Sequence, residues 1–231
     1  MKKKFLLILF CVLSPLLLIA SSIDSISTTY KDGQFTTYSQ VFVNASDSTC
    51  SIVTKDYDYQ MRYNLDALFP WALKGMNLRK EKKELMMFYF KSTSFNKESS
   101  VLRGIGDVII PGVITFPNIY VDCKLTSKPT INGNSTVYLN LLSSNGFIKN
   151  MNNSFSVIPV ANKKGNWFIL VTNVRFGWFF NIFITEKRFK SIMEWRLKQF
   201  IHNLKNEAER RVKIPSTNKK LINYTIQHKN G

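Results

Sequence analysis

Apolar residues return every three or four positions between Thr185 and Arg211: Phe189, Met193, Leu197, Phe200, Leu204 and Ala208. That period places them on one face of an α-helix. Lys190, Glu194, Lys198, His202, Lys205 and Glu209 take the other face, with Glu194 and Lys198 spaced for an i,i+4 pair. Thr185 is the predicted N-cap. Glu186 puts a carboxylate in the first turn and Arg210 and Arg211 put cations in the last, where the helix dipole favours each. About seven turns of helix with one apolar stripe need a large apolar surface to lie on.

Upstream the period shortens towards two. Gln34–Val43, Glu84–Ser92, Val101–Ile110, Phe155–Ala161 and Trp167–Val174 read as strands. The cleanest alternation runs from Ile119 to Thr126, with Ile119, Val121, Cys123 and Leu125 on one side and Tyr120, Asp122, Lys124 and Thr126 on the other. Val137, Leu139 and Leu141 alternate likewise with Tyr138 and Asn140. Asp32-Gly33, Pro111-Gly112, Asn132-Gly133 and Asn162–Asn166 supply turns, and Asn132-Gly133 is the strongest hairpin signal. Ser25–Tyr30 reads as a short polar leader. Ser46 caps a short helix with Asp47 in its first turn and Cys50, Ile52 and Val53 facing inward, and Asp56–Tyr63 forms a second short helix or turn. Asn64–Leu78 is an aromatic-rich connection that Pro70 prevents from forming a simple helix. Short strands joined by tight turns and followed by one long helix predict an α+β chain with an antiparallel sheet.

Both ends of this pattern carry a resemblance. The segment YKDGQFTTYSQVFVNASDSTCSIVTKDYDYQMRY resembles the opening of START-like (SRPBCC superfamily) domains, through Asp32-Gly33, Asn44-Ala45-Ser46 and Asp56-Tyr57-Asp58. The segment VRFGWFFNIFITEKRFKSIMEWRLKQFIHNLKNEAE is similar to their last strand, Gly-Trp and aromatic junction and long closing helix. The resemblance spans residues 30–211 and is loose in the middle. It implies a helix-grip fold: a curved antiparallel β-sheet wrapped around a long C-terminal α-helix, with two short helices after the first strand. It also implies a cavity between sheet and helix, and places the 64–78 connection near its mouth as an apolar lid or core plug.

Composition adds a location and a partner. Lys2, Lys3 and Lys4, the apolar run Phe5–Ala20 and the small residues Ala20-Ser21-Ser22 read as a signal peptide over residues 1–22, cleaved after Ser22, with a signal-anchor as the competing reading. Its removal predicts a protein of the periplasm or cell envelope. The net charge of +17 falls to +14 with the loss of those three lysines. Such a charge suits an anionic membrane surface, or else reflects lysines scattered through an Asn- and Ile-rich chain. No Arg-rich block interleaved with aromatics marks a nucleic-acid groove, so nucleic acid is not an expected partner. Residues 212–231 read as a basic, disordered tail. Export permits a disulfide between Cys50 and Cys123, the alternative being two buried free thiols.

Candidate chemistry is sparse. His202 falls on the polar side of the long helix and His228 in the tail, so neither suits a catalytic triad. Gly104-Ile105-Gly106 lacks the third glycine of a dinucleotide loop, and Asp56 with Asp58 lacks the other ligands of a calcium loop. No metal or cofactor is expected. Asp107 is the candidate general base of a cyclase- or hydrolase-type enzyme, and shares its strand parity with Arg103 as a potential partner; Asp122 is expected outward and solvated. The predicted ligand lining is Val121, Cys123 and Leu125 from one strand, Val137 and Leu139 from the next, and Phe168 and Leu170 from the last. Met193, Leu197 and Phe200 would roof it. Trp71, Trp178 and Phe179 are candidates for a gate or a membrane-touching rim. The expected function is an exported binding protein for an apolar small molecule, lipid or isoprenoid-like; the alternatives are the enzyme and an envelope interaction protein whose cavity is filled.

Overall fold

The computed structural model of the chain describes residues 24–76, 87–110, 112–131, 134–161 and 164–213. The predicted signal segment, the tail beyond Lys213, the strand start Glu84–Met86, His228 and the turn residues Pro111, Asn132-Gly133 and Asn162-Lys163 lie outside the described residues.

Among the described residues, eight antiparallel strands form one curved sheet in the order β1-β2-β8-β7-β6-β5-β4-β3. They are β1 (Ser25–Lys31), β2 (Gln34–Val43), β3 (Met87–Asn96), β4 (Val101–Ile110), β5 (Ile114–Ile131), β6 (Asn134–Ser144), β7 (Ile148–Pro159) and β8 (Asn166–Phe176). Helix α1 (Asp47–Tyr63) and a 3-10 turn (Leu65–Leu68) follow β2; the short α2 (Trp178–Asn181) and the long α3 (Glu186–Val212) close the chain. β2 and β8 alternate without a break, odd positions of β2 and even positions of β8 facing the core.

Two segments differ from the sequence reading. Ser25–Lys31 is an edge strand, joined to β2 through Asp32 and Gly33, both at positive φ as a tight hairpin requires. Its serines and threonines read as a leader because an edge strand needs few apolar positions; the inward Thr28 instead bonds Thr37 through their hydroxyls at 2.9 Å. In place of two short helices there is one of 17 residues. Ser46 caps it, as predicted, accepting from the Thr49 N–H. Asp58 and Arg62 form an i,i+4 ion pair at 2.9 Å, and Asp56 meets Arg211 of α3 at 2.6 Å, which carries the helix through the Asp-Tyr-Asp-Tyr segment. Asp56 and Asp58 thus serve as ion-pair partners that hold α1.

Helix α3 lies along β2. Phe189, near its start, stacks on Phe35 at the start of β2, with ring centroids 3.9 Å apart. Near its end, Glu209 accepts the backbone N–H of Asn44, just past β2. Thr185 stands at the N-cap position without a side-chain cap bond. The predicted stripe faces the core, and Ile201 joins it. Glu194 departs from its predicted solvent-facing role: its Oε1 is buried, without a hydrogen-bond partner among the described residues. At the β2–α1 junction the fully buried Asn166 donates to the Ala45 carbonyl at 3.0 Å and to Asp47 at 3.2 Å, locking β8 to the start of α1.

Two apolar clusters fill the space beneath the helices. One joins the second half of α3, α1, the end of β2 and the start of β8. The other gathers Phe35, Phe147, Phe176, Phe180 and Phe189 around the β8–α3 junction. Gly177 is confined there, because a Cβ on it would collide with the carbonyl oxygen of Gly146.

Candidate functional site

Neighbouring strands set inward side chains in rows across the sheet. One row runs Val137–Phe155–Leu170, and the next runs Leu125–Leu139–Asn153–Thr172. Above them stand Tyr57 and Met61 of α1, Leu73 and Met76 of the connection, and Leu197 and Phe200 of α3. These groups, with Ser154, enclose a half-open cavity of about 180 Å³. The Tyr57 ring packs edge-on against Phe155 and Phe200, and burial raises its phenol pKa well above the ordinary value.

Of the predicted lining residues, Leu125, Val137, Leu139, Leu170, Leu197 and Phe200 meet around this cavity. Val121, Cys123, Phe168 and Met193 do not line it. Cys123 and Phe168 are buried in packing, Val121 packs against the aromatic cluster, and Met193 touches both clusters. The parity was right and the position along each strand and along α3 was not: Val121 and Met193 sit towards the aromatic cluster, and Cys123 and Phe168 are covered by packing. Tyr57, Met61, Leu73, Met76, Asn153, Ser154, Phe155 and Thr172 were missed. Cys50, Val53, Tyr57 and Met61 recur at helical spacing, a signal hidden when the segment is divided into two helices. Thr172 shares the parity of Phe168 and Leu170, and Asn153 lies opposite it.

The gate candidates separate. Trp71 is half-buried against the main core and donates its indole N–H to Gln60 Oε1 at 2.8 Å, so it fixes the connection to α1. Leu68 and Ala72 are fully buried, so this segment forms a wall of the core and not a loose lid. Phe179 is partly buried in the aromatic cluster, its ring against Phe116 and Phe180. Trp178 is 79% exposed and Ile182 65%.

The carboxylates are also placed otherwise than expected. Asp107 sits on the outer face of β4, where inward positions are Gly104, Gly106, Val108 and Ile110. It meets Lys91 at 2.7 Å and accepts the Asn118 N–H at 2.9 Å, where Pro117 and Asn118 bulge β5 and Asn118 takes positive φ. Lys91 and that N–H hold its carboxyl below the usual range. It therefore has no access to the cavity, and the enzyme alternative loses its named base. Arg103 pairs with Asp122 and not with Asp107: two guanidinium nitrogens lie 2.6 Å from the two carboxylate oxygens, with Ser143 donating at 3.1 Å. Asp122 is buried under this cover although it points outward as predicted. Cys50 and Cys123 are free, buried thiols and form no disulfide; burial pushes each up to about 12. His202 lies 3.7 Å from Asp24, away from the cavity. Among the described residues no cluster of ligating side chains could hold a metal ion.

The sheet curves around α3, and the cavity lies between them under α1. The architecture is a helix grip. No protein-family model matches the chain, and no curated protein matches it. Among solved structures it is similar to a START superfamily protein from Mycobacterium smegmatis, at 14% identity and a TM-score of 0.45 over 76% of this chain and 97% of that one. It is similar to the Zhui aromatase/cyclase from Streptomyces sp. R1128, at 11% identity and a TM-score of 0.49 over 78% and 96%. A norcoclaurine synthase mutant from Thalictrum flavum matches at 13% identity and 0.44 over 81% and 99%. Likenesses this distant carry no activity across; the assignment of the fold stands on the strand order and helix placement of this chain.

Proposed function

We propose that this protein binds a small apolar molecule in the cavity between its sheet and α3, and carries or shelters it. The observation that supports the reading is a half-open hollow of about 180 Å³ with a mostly apolar lining. That volume is below the range of drug-sized sites and close to cavities that accept a single aromatic ring. It takes a ring-sized group whole, or only the end of a longer lipid or isoprenoid chain. A ring like that of an aromatic side chain buries about 200 Å², worth about 5 kcal/mol at about 25 cal/mol per Å². Association costs take back most of this, so apolar burial alone gives weak binding.

We further propose that the protein is exported and works at the envelope, where the exposed rim of Trp178 and Ile182, flanked by the exposed Lys187, Arg188 and Lys190, meets an anionic membrane surface. Native mass spectrometry of protein purified from the cells that naturally make it tests the main reading. The expected spectrum shows a chain beginning at Ile23 with a bound apolar molecule that organic extraction releases. A ligand-free chain whose melting temperature no apolar ring compound raises would overturn the binding role. A retained Met1 would overturn cleavage after Ser22, and recovery of the protein in the cytosolic fraction would overturn export.

A further inference from the structure

The cavity floor changes character along one row. Leu125 and Leu139 are followed by Asn153 and Thr172, and the row continues into Thr37 and Thr28 on the same inward face. Thr37 and Thr28 satisfy each other through their hydroxyls. Asn153 is different: its Oδ1 is buried and has no hydrogen-bond partner among the described residues, although the residue lines the cavity. Its cross-strand neighbour on one side is Leu139, which has no donor, and on the other Thr172, whose hydroxyl does not bond the Asn153 oxygen. A buried acceptor left unmade is costly, and native structures rarely tolerate one without a reason. The reason available here is an occupant that supplies the missing donor.

We propose that Asn153 is the specificity-determining polar group of the cavity, and that its ligand carries a hydroxyl or N–H donor beside a ring-sized apolar body. This rests on the reading of the cavity as a ligand site. Apolar walls hold the body, and the Asn153 amide oxygen selects for the donor. Such a site rejects an isostere lacking the donor, because that molecule leaves the buried oxygen unpaired.

Three one-ring probes separate the alternatives: phenol, which donates; toluene, which does not; and benzonitrile, which only accepts. Calorimetric or thermal-shift titration gives the ratio of toluene to phenol dissociation constants for the whole protein and for Asn153→Leu. The expected result is a fall in that ratio of about tenfold or more in the variant, with toluene binding retained. Asn153→Ala, a smaller side chain with no acceptor, gives the same direction if the leucine variant does not fold. An unchanged ratio, or wild-type preference for benzonitrile over phenol, overturns the role of Asn153 while leaving the cavity as a ligand site. Failure of all three rings to bind the wild type overturns both.

Discussion

Asp107 and Asp122 show how little a carboxylate's position in the sequence says about its task. Both face outward from the sheet, and both are tied to a cation from a neighbouring strand. Asp107 holds a bulge, and Asp122 anchors Arg103 over the Tyr120 ring. The Arg103 guanidinium, aided by the Ser143 hydroxyl and opposed by burial, holds the Asp122 carboxyl below its ordinary value. A depressed native pKa stabilises the fold above the unfolded value of about 3.9, and that contribution is lost as pH falls through the native value. Asp122→Asn is therefore expected to be less stable than the wild type at pH 7, with the gap closing below about pH 4. Urea unfolding at the two pH values measures it; a gap that stays constant would show that the pair contributes nothing through charge. Sequence parity placed Asp122 on the correct face, but its burial there by Arg103 and Ser143 depends on the two neighbouring strands, β4 and β6.

At the scale of elements, the long helix was the most legible part. Its stripe was set by period alone, because a helix of this length has one way to bury six spaced apolar residues. Leu204, in its second half, is fully buried in the core it shares with the sheet and α1. Leu204→Ala is expected to cost about 2–5 kcal/mol, against less than about 0.5 kcal/mol for Lys198→Ala on the exposed face. Denaturant midpoints of the two variants check this, and comparable losses would mean that the stripe is not the packed face. Helix α1 was less legible. Its Asp-Tyr-Asp-Tyr segment has poor intrinsic helicity, and the Asp56–Arg211 ion pair and the Tyr57 contacts with Phe155 and Phe200 come from remote residues. β1 was missed for the opposite reason: pairing with β2, not apolar burial, makes it a strand.

Over the whole molecule, the hollow beneath α3 is divided. Phenylalanines fill it at the β8–α3 end, and the other end stays open beneath α1 and the connection. At the filled end Phe116 packs on Phe179 and Phe180, which brings the exposed Val113 and Ile114 before and at the start of β5 to the same end as Trp178 and Ile182. Together with the positive charge, this patch is expected to bind vesicles containing phosphatidylglycerol and not pure phosphatidylcholine vesicles, less so in high salt. Trp178→Ser with Ile182→Ser should reduce co-sedimentation several-fold without lowering the melting temperature. Equal binding by the double variant would remove the rim from the membrane reading.

Period, turn chemistry and parity by themselves determined that this chain builds an antiparallel sheet and a long helix with one face for it, since these depend on neighbours a few residues apart. Only the tertiary structure decided which inward residues touch and which leave space. That depends on where α3 crosses the rows of the sheet and on α1 and the connection closing over them. Leu170 borders a void and Phe168 does not, though both obey the same alternation, because packing is settled by the volume that distant segments bring to each point.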